Sequence, residues 1–490
     1  MESKDLNKKY EEICINLAAR RLKPAFDLLE KLISENNLVE FNDEYRNLEE
    51  TYHYMLKYTV EGIRDPERQK VYRKLIVSVF ELADKVNETI SMKFSPSVEY
   101  EKKRMFKDQL IQNFTKYISE LEEYSLPDDN DTEGEFAASE ASGEYQQKMR
   151  RLFYHLWFRD KLSPEESDAL RTFFLSPAIW ISYKSFIVTA LMLSLQRYFD
   201  VEKFNILFDS YESQEIEVNQ RTLVSLLVNL YRYDRRMPFY PAITDRFKML
   251  DENPHFKLKL ERIITQFIRS KETEKLQKRI RDEIIPEMIK ISPNLKDKIN
   301  LDSLMEEGLS EDKNPDWEEI FKDSPGLLNK MEEFSELQME GADVFMGSFA
   351  MLKTFPFFNE LSNWFMPFFP GNPEITSSLD FSDPVNKHLV EAVSKAPILC
   401  NSDKYSFCFS IQSLPKENRE FLMKGINAEM DQLKEIQEDE IILDPVKKAE
   451  FISNQYIQDL YRFYKLFPRK MEFEDIFNWR FDFHKIGRAH

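Results

Sequence analysis

Glycine is scarce in this chain. Ten glycines in 490 residues is about a third of ordinary usage. No two fall as Gly-x-Gly, so the chain has no Walker loop, Rossmann fingerprint, kinase Gly-rich loop or Gly-x-Ser-x-Gly elbow, each of which needs glycine for close backbone approach. Cysteine is scarcer still. Cys14, Cys400 and Cys408 are too few and of the wrong parity for a disulfide framework, which points to a reducing compartment. No uncharged apolar run approaches the roughly 20 residues of a membrane-spanning helix. Positive charge is in deficit: 68 Lys and Arg against 87 Asp and Glu give −19, a surface that a phosphate backbone repels. These absences predict a soluble cytoplasmic protein with no membrane span and no nucleic-acid partner.

What the chain does have is helical rhythm. Leu6, Tyr10, Ile13 and Leu17 are spaced four, three and four. Leu38, Phe41, Tyr45, Leu48, Tyr52 and Met55 repeat the pattern, and a helix carrying Tyr72, Leu75, Ile76, Val79, Phe80 and Ala83 follows Asp65-Pro66. A fourth helix is expected over 97–124. Residues 1–124 therefore read as an N-terminal helical region. Residues 125–145 are acidic and aperiodic, and read as a disordered, protease-sensitive linker.

From 146 to about 300 the helices resume. Ser163-Pro164-Glu165-Glu166 has the form of a capping box with a first-turn proline. Ser176-Pro177 and Asn253-Pro254 read as further starts. Arg197-Tyr198 recurs as Arg232-Tyr233, 35 residues on. At the same offset Val188 maps to Leu223, Leu191 to Leu226, Leu195 to Leu230 and Phe204 to Phe239. A period of two helices is the mark of stacked hairpins, and residues 217–227 are HEAT-like. A long amphipathic helix over 256–291 is expected to kink at Pro286. The basic runs Lys102-Lys103-Arg104, Arg150-Arg151, Arg235-Arg236 and Lys278-Arg279-Ile280-Arg281 have acidic neighbours and read as solvated helix faces.

Residues 301–326 form an acidic loop region by composition. The segment 327–372 is rich in Phe and Met and reads as a helical hairpin broken by Pro356 and Pro367. It has two readings: buried core, or a partner-binding surface formed by Phe345, Phe349, Phe357, Phe358, Trp364, Phe365 and Phe368. Residues 373–485 form a C-terminal helical region, with helices over 418–439 and 445–467. The end, Ile486-Gly487-Arg488-Ala489-His490, is the translation of ATC GGA AGA GCA CAC, a string within a common sequencing adapter. Residues 486–490 are expected to be non-native, with the chain cut from something longer. A cut repeat array leaves an uncapped face, so exposed apolar surface is expected over 339–370 and 461–483.

Chemistry-bearing patterns are few. The six histidines, at 53, 155, 255, 388, 484 and 490, include no pair at i+3 or i+4. No zinc or calcium spacing exists, and no cofactor or metal is expected. Cys400 and Cys408 read as small buried residues around a turn.

The strings Glu283-Ile284-Ile285-Pro286-Glu287-Met288, Leu337-Gln338-Met339-Glu340-Gly341-Ala342-Asp343-Val344-Phe345-Met346 and Ser402-Asp403-Lys404-Tyr405-Ser406-Phe407-Cys408 resemble those of large bacterial tetratricopeptide-repeat (TPR) proteins. The resemblance spans nearly the whole chain. It implies a helical scaffold whose recognisable repeats would lie beyond Lys485, and it brings no catalytic residue. The expectation is thus an all-α fold of stacked antiparallel helical hairpins, a HEAT/TPR-like α-solenoid, acting as a non-catalytic scaffold for an unknown protein partner. Two alternatives stand beside it: an all-α enzyme built on dispersed carboxylates with His155 or His388, and an assembly component that self-associates through the Phe/Met segment.

Overall fold

Apolar residues at helical spacing and a shortage of glycine leave the backbone one way to satisfy its hydrogen bonds, and the computed structural model takes it. The structure describes residues 3–61, 67–123, 139–284, 286, 343–396, 399–412, 419 and 445–480. Helices account for the regular structure among them, and no strand occurs. No helix among the described residues is long and apolar enough to cross a membrane.

The N-terminal group comprises α1 (Ser3–Ala18), α2 (Leu22–Glu35), α3 (Asn42–Val60) and α4 (Arg68–Phe94). From the stripes read in the sequence Ile13, Leu17, Ile76, Val79 and Phe80 are buried, and Phe26 and Leu29 of α2 join them in the core. Helices α1 and α2 end in Schellman turns, in which Arg21 N donates to Asn16 O and Leu38 N to Ile33 O. The left-handed residues of those turns are Arg20 (φ 60°) and Asn37 (φ 52°). The expected helix over 97–124 is two helices, α5 (Val98–Phe106) and α6 (Phe114–Glu123). Asn113 separates them by capping α6, its Oδ1 accepting from Lys116 N at 2.9 Å.

Helix α7 (Ser139–Phe158) begins inside the segment read as a linker. Residues 139–145 are therefore helical, and Tyr145 is buried; residues 125–138 lie outside the described residues. The chain continues through α8 (Pro164–Leu175), α9 (Ile181–Arg197), α10 (Val201–Tyr211), α11 (Ile216–Arg232), α12 (Pro241–Asp251) and α13 (Pro254–Ser270). The capping box forms as read: Ser163 Oγ accepts from Glu166 N and Glu166 Oε2 accepts from Ser163 N. Asn253 caps α13 through His255 N. Ser176-Pro177 does not start a helix. Ser176 ends α8, its N–H bonding to Thr172 O, and α9 begins four residues after Pro177. The long helix expected over 256–291 breaks at Lys271 and Glu272 into α13 and α14 (Thr273–Arg279), with a π-turn at Ile280–Ile284. The break precedes Pro286. Residues 287–342, and with them the acidic loop region 301–326, lie outside the described residues.

Helix α7 packs on α9, α9 on α11, and α11 on α13. Alongside them α6 packs on α8, α8 on α10, and α10 on α12. Val188, Leu191, Leu195, Leu223 and Leu226 are buried and Leu230 is half-buried.

After these come α15 (Met346–Ala350), three 3₁₀ turns across 351–365, α16 (Pro373–Ser378), α17 (Pro384–Lys395), α18 (Asn401–Ile411), α19 (Pro445–Leu466) and the 3₁₀ turns Lys470–Glu472 and Ile476–Asn478. The described part of the Phe/Met segment, 343–372, is thus a short helix and three 3₁₀ turns rather than a helical hairpin. Pro356 starts one of its turns and Pro367 follows the last. Helix α19 lies on α11 and α13, and α16 lies on α7. Over the described part of 461–483, residues 461–480, the expected exposure of large apolar side chains is confined to Met471. Tyr461, Phe463, Tyr464, Phe467, Ile476 and Phe477 are buried, because α11, α13 and the turn carrying Trp364 cover them. Residues 327–342, 481–490 and nearly all of the helix read over 418–439 lie outside the described residues, as does Asp65-Pro66.

Three clusters of ion pairs, built on buried arginines, stitch distant elements together. Arg236 donates to Asp84 from both terminal nitrogens (2.7 and 2.6 Å) and to Tyr10 Oη. Arg236 was read as solvated, yet it is buried while Arg235 is exposed. Arg197 bridges Glu88 and Asp160. Arg462 holds both Asp343 and Asp403, and Lys353 adds to Asp403 at 2.8 Å. Burial alone would raise the Asp403 carboxyl, but Arg462 and Lys353 hold it at about 2.

Candidate functional site

The seven aromatic residues proposed as a partner surface are mostly interior. Phe349, Phe357, Phe358, Trp364 and Phe365 are buried, and Phe345 and Phe368 are half-buried. Trp364 Nε1 donates to Phe358 O, and its ring meets Phe463 and Phe467 at 6.1 and 5.9 Å. Phe365 lies between Phe153 of α7 and Phe463 of α19. Phe357 stacks on Tyr405 at 4.5 Å, and Phe368 meets the same ring. The covering helices are 40 to 210 residues away in sequence, so local composition carried no trace of them.

His155 is sealed in the core at 1% exposure. Its Nδ1 accepts from Ile111 N (3.2 Å), its Nε2 faces Glu166 Oε1 (3.4 Å), and its ring stacks on Phe114. Burial lowers its pKa against the pull of Glu166. Burial would raise Glu166 itself, but His155, Ser163 N–H and Arg159 hold it at about 2. This histidine ties α7 to α8 and to the start of α6. His388 is exposed on α17, so the two histidines of the enzyme alternative do not share a site. Cys400 and Cys408 are buried free thiols, both pushed up by burial. Among the described residues no group of three or more His, Cys, Asp or Glu is placed to hold a metal ion.

A well-formed concavity lies elsewhere, among α5, α6 and α7. It is a cleft of about 860 Å³. Helical spacing aims one stripe of each helix into it: Val98, Glu101, Lys102 and Met105 from α5; Tyr117 and Glu120 from α6; Glu144, Gln147, Lys148, Arg151, Tyr154 and Phe158 from α7. The floor is aromatic. Phe106 meets Tyr154 and Phe158 at 5.8 and 6.0 Å, and Tyr154 stacks on Phe158 at 5.6 Å.

The rim carries charges of both signs. Tyr154 Oη donates to Glu360 Oε1, which also accepts from Ser362 N and Oγ. Lys102 Nζ lies 3.2 Å from Tyr154 Oη, 3.7 Å from Glu360 Oε2 and 5.0 Å from the centre of the tyrosine ring. Burial and the Glu360 charge push the Tyr154 hydroxyl well up. Burial would raise Glu360, but the Tyr154 hydroxyl and Lys102 bring it below its ordinary value. Arg151 Nε donates to Gln109 O while its guanidinium covers the Tyr117 ring at 5.7 Å. Arg150 bonds Asn363 Oδ1 and faces Glu374. A fixed apolar floor with a polar rim can bind.

Two basic runs read as solvated faces thus supply this rim. Lys102 comes from one, and Arg150 and Arg151 from the other. The i, i+3, i+4 spacing of Val98, Glu101 and Lys102 marked a common face, but only the packing of α5 against α7 shows that the two runs converge. No family model, curated protein or solved structure matches the chain.

Proposed function

We propose that this protein is a non-catalytic helical scaffold that binds a segment of another protein in the cleft among α5, α6 and α7. The observation that carries the reading is the cleft itself: an aromatic floor of Phe106, Tyr154 and Phe158 inside a rim of Lys102, Arg151, Glu101 and Glu120. An apolar centre with a mixed-charge border is the anatomy of a protein–protein contact. The floor takes an apolar anchor side chain, and the rim meets charges of either sign around it. The stacked-hairpin part of the proposal draws support from the two parallel series of packed helices and from the burial of the residues related by the 35-residue offset. The resemblance to TPR proteins is part of the same proposal, and what it implies is a scaffold.

Site-specific photo-crosslinking tests the reading. A photoreactive residue replaces Met105, which is 76% exposed at the cleft mouth, or Leu175, 82% exposed on α8. In cells that naturally make the protein, position 105 is expected to capture a discrete protein that position 175 does not. Adding Arg151→Glu is expected to weaken that capture about tenfold, as loss of a well-placed interface charge does. Identical capture patterns from the two positions, or indifference to Arg151→Glu, would reject the cleft as the binding site.

A further inference from the structure

A second cavity, of about 310 Å³, lies where α4, α5 and the end of α7 meet. It shares Phe106 and Phe158 with the cleft but none of the cleft's charged rim. Its size is at the lower end for small-molecule pockets, roughly the room of ten waters in the liquid. One wall is apolar. Met92 of α4, Phe106 of α5, Leu110 just past α5 and Phe158 of α7 form it, and the two phenylalanine rings are 6.0 Å apart. The other wall holds a charge pair with bonding capacity to spare. Lys103 Nζ donates to Glu88 Oε1 and to Asp160 Oδ1, both at 2.6 Å. An ammonium has three N–H donors, and the third has no acceptor among the described residues. Asp160 Oδ1 accepts from Lys103 and from Arg197 Nη1, while Oδ2 accepts from no donor among the described residues. Glu88, by contrast, is engaged on both oxygens, Oε2 by Tyr100 Oη and Oε1 by Lys103 and Arg197. Lys107 also lines the cavity, is exposed, and has no carboxylate partner among the described residues. Lys93 is drawn off to Glu40.

We infer that this cavity binds a free apolar α-amino acid, of leucine to phenylalanine size. Each part of the ligand answers a part of the wall. The remaining N–H of Lys103 takes the carboxylate, with Lys107 as a second cation. Oδ2 of Asp160 takes the ammonium. Met92, Phe106, Leu110 and Phe158 take the side chain, and the methionine adapts to its shape. The spacing favours one ligand that carries both charges. Lys103 and Asp160 are in direct contact at 2.6 Å, and the ammonium and carboxylate of an α-amino acid are likewise neighbours, on one carbon. A ligand with a single charge would displace water from one of these two groups without replacing its hydrogen bond.

Calorimetric titration of the full chain with L-leucine and L-phenylalanine tests this. Phenethylamine, which lacks the carboxylate, and phenylpropionate, which lacks the ammonium, are the comparison ligands. Phenylalanine is expected to bind at least about tenfold more tightly than either, because each of them loses hydrogen bonds to a charged group. Asp160→Asn is expected to weaken phenylalanine at least about tenfold and to leave phenylpropionate unchanged. Lys107→Glu is expected to weaken phenylalanine and phenylpropionate several-fold but not phenethylamine. Leu175→Ala, exposed on α8 and outside the cavity, is expected to change nothing. A helical circular dichroism spectrum like that of the native chain checks that each variant folds. Lys107 is exposed, so its variant carries the test if Asp160→Asn does not fold. Absence of binding by both amino acids at about 10 mM overturns the inference. Equal binding of phenylalanine and phenylpropionate also overturns it, reducing the cavity to a carboxylate site. Equal binding of phenylalanine and phenethylamine does the same, reducing it to an amine site.

Discussion

Single residues here are held by burial in ways that pH can read. Lys203 is fully buried. Its Nζ donates to Arg159 O and Asp160 O, and the nearest carboxylate, on Asp200, is 3.9 Å away. Burial pushes its ammonium down to about 7, against the pull of Asp200 and Asp160 and with the help of Arg197 and Lys103. In the unfolded chain a lysine titrates at about 10.4. Between these values the unfolded state binds more protons than the folded state, so stability rises with pH across about 7 to 10 and falls as pH drops to 7. The contribution of Lys203 between pH 7 and 9 is up to about 2 kcal/mol. Urea-unfolding midpoints at the two pH values are expected to rise in the native protein and to rise less in Lys203→Met. Lys404, pushed down to about 8 by burial, keeps part of the slope in that variant. An unchanged slope would show that Lys203 is not the source.

At the scale of the helix, glycine scarcity has a local cost. The Schellman turn after α1 puts Arg20 at φ 60°, where a side chain with a Cβ is strained by about 1 kcal/mol. Asn37, in the same role after α2, tolerates that region better. Arg20→Gly is expected to stabilise the protein by about 0.5–1 kcal/mol and Asn37→Gly by less; denaturant melts of the two variants make the comparison. The starts and ends of helices were legible where their signals were local, as with Ser163-Pro164-Glu165-Glu166 and Asn253-Pro254. They were not legible where the signal comes from another element. Helix α18 is preceded at its cap position by Cys400, which offers no side-chain cap. Asp459 of α19 supplies one instead, accepting from Asn401 N and Ser402 N. The same limit hid the candidate site. Lys102 and Arg151 were visible as basic residues, but their convergence over Tyr154 and Tyr117 depends on how α5, α6 and α7 pack.

Across the whole molecule the governing contact is α19 on α11 and α13. The Arg221 guanidinium of α11 lies 4.5 Å from the centre of the Tyr456 ring of α19, and α19 also reaches α9, where Tyr456 Oη bonds Thr189 Oγ1 (2.9 Å) and Tyr464 Oη donates to Gln196 Oε1. Expression of residues 1–444 alone is expected to give aggregated protein where the full chain stays in the supernatant, because the faces of α11 and α13 then lose their cover. Equal recovery of both in the supernatant after centrifugation would show that those faces are stable without α19. The same contact has a consequence in time. Roughly two hundred residues separate the end of α11 from the start of α19, which at ribosomal speeds of about 5–20 residues per second is a wait of about 10–40 s. Throughout that interval a finished apolar face stands on the nascent chain with its own cover not yet made.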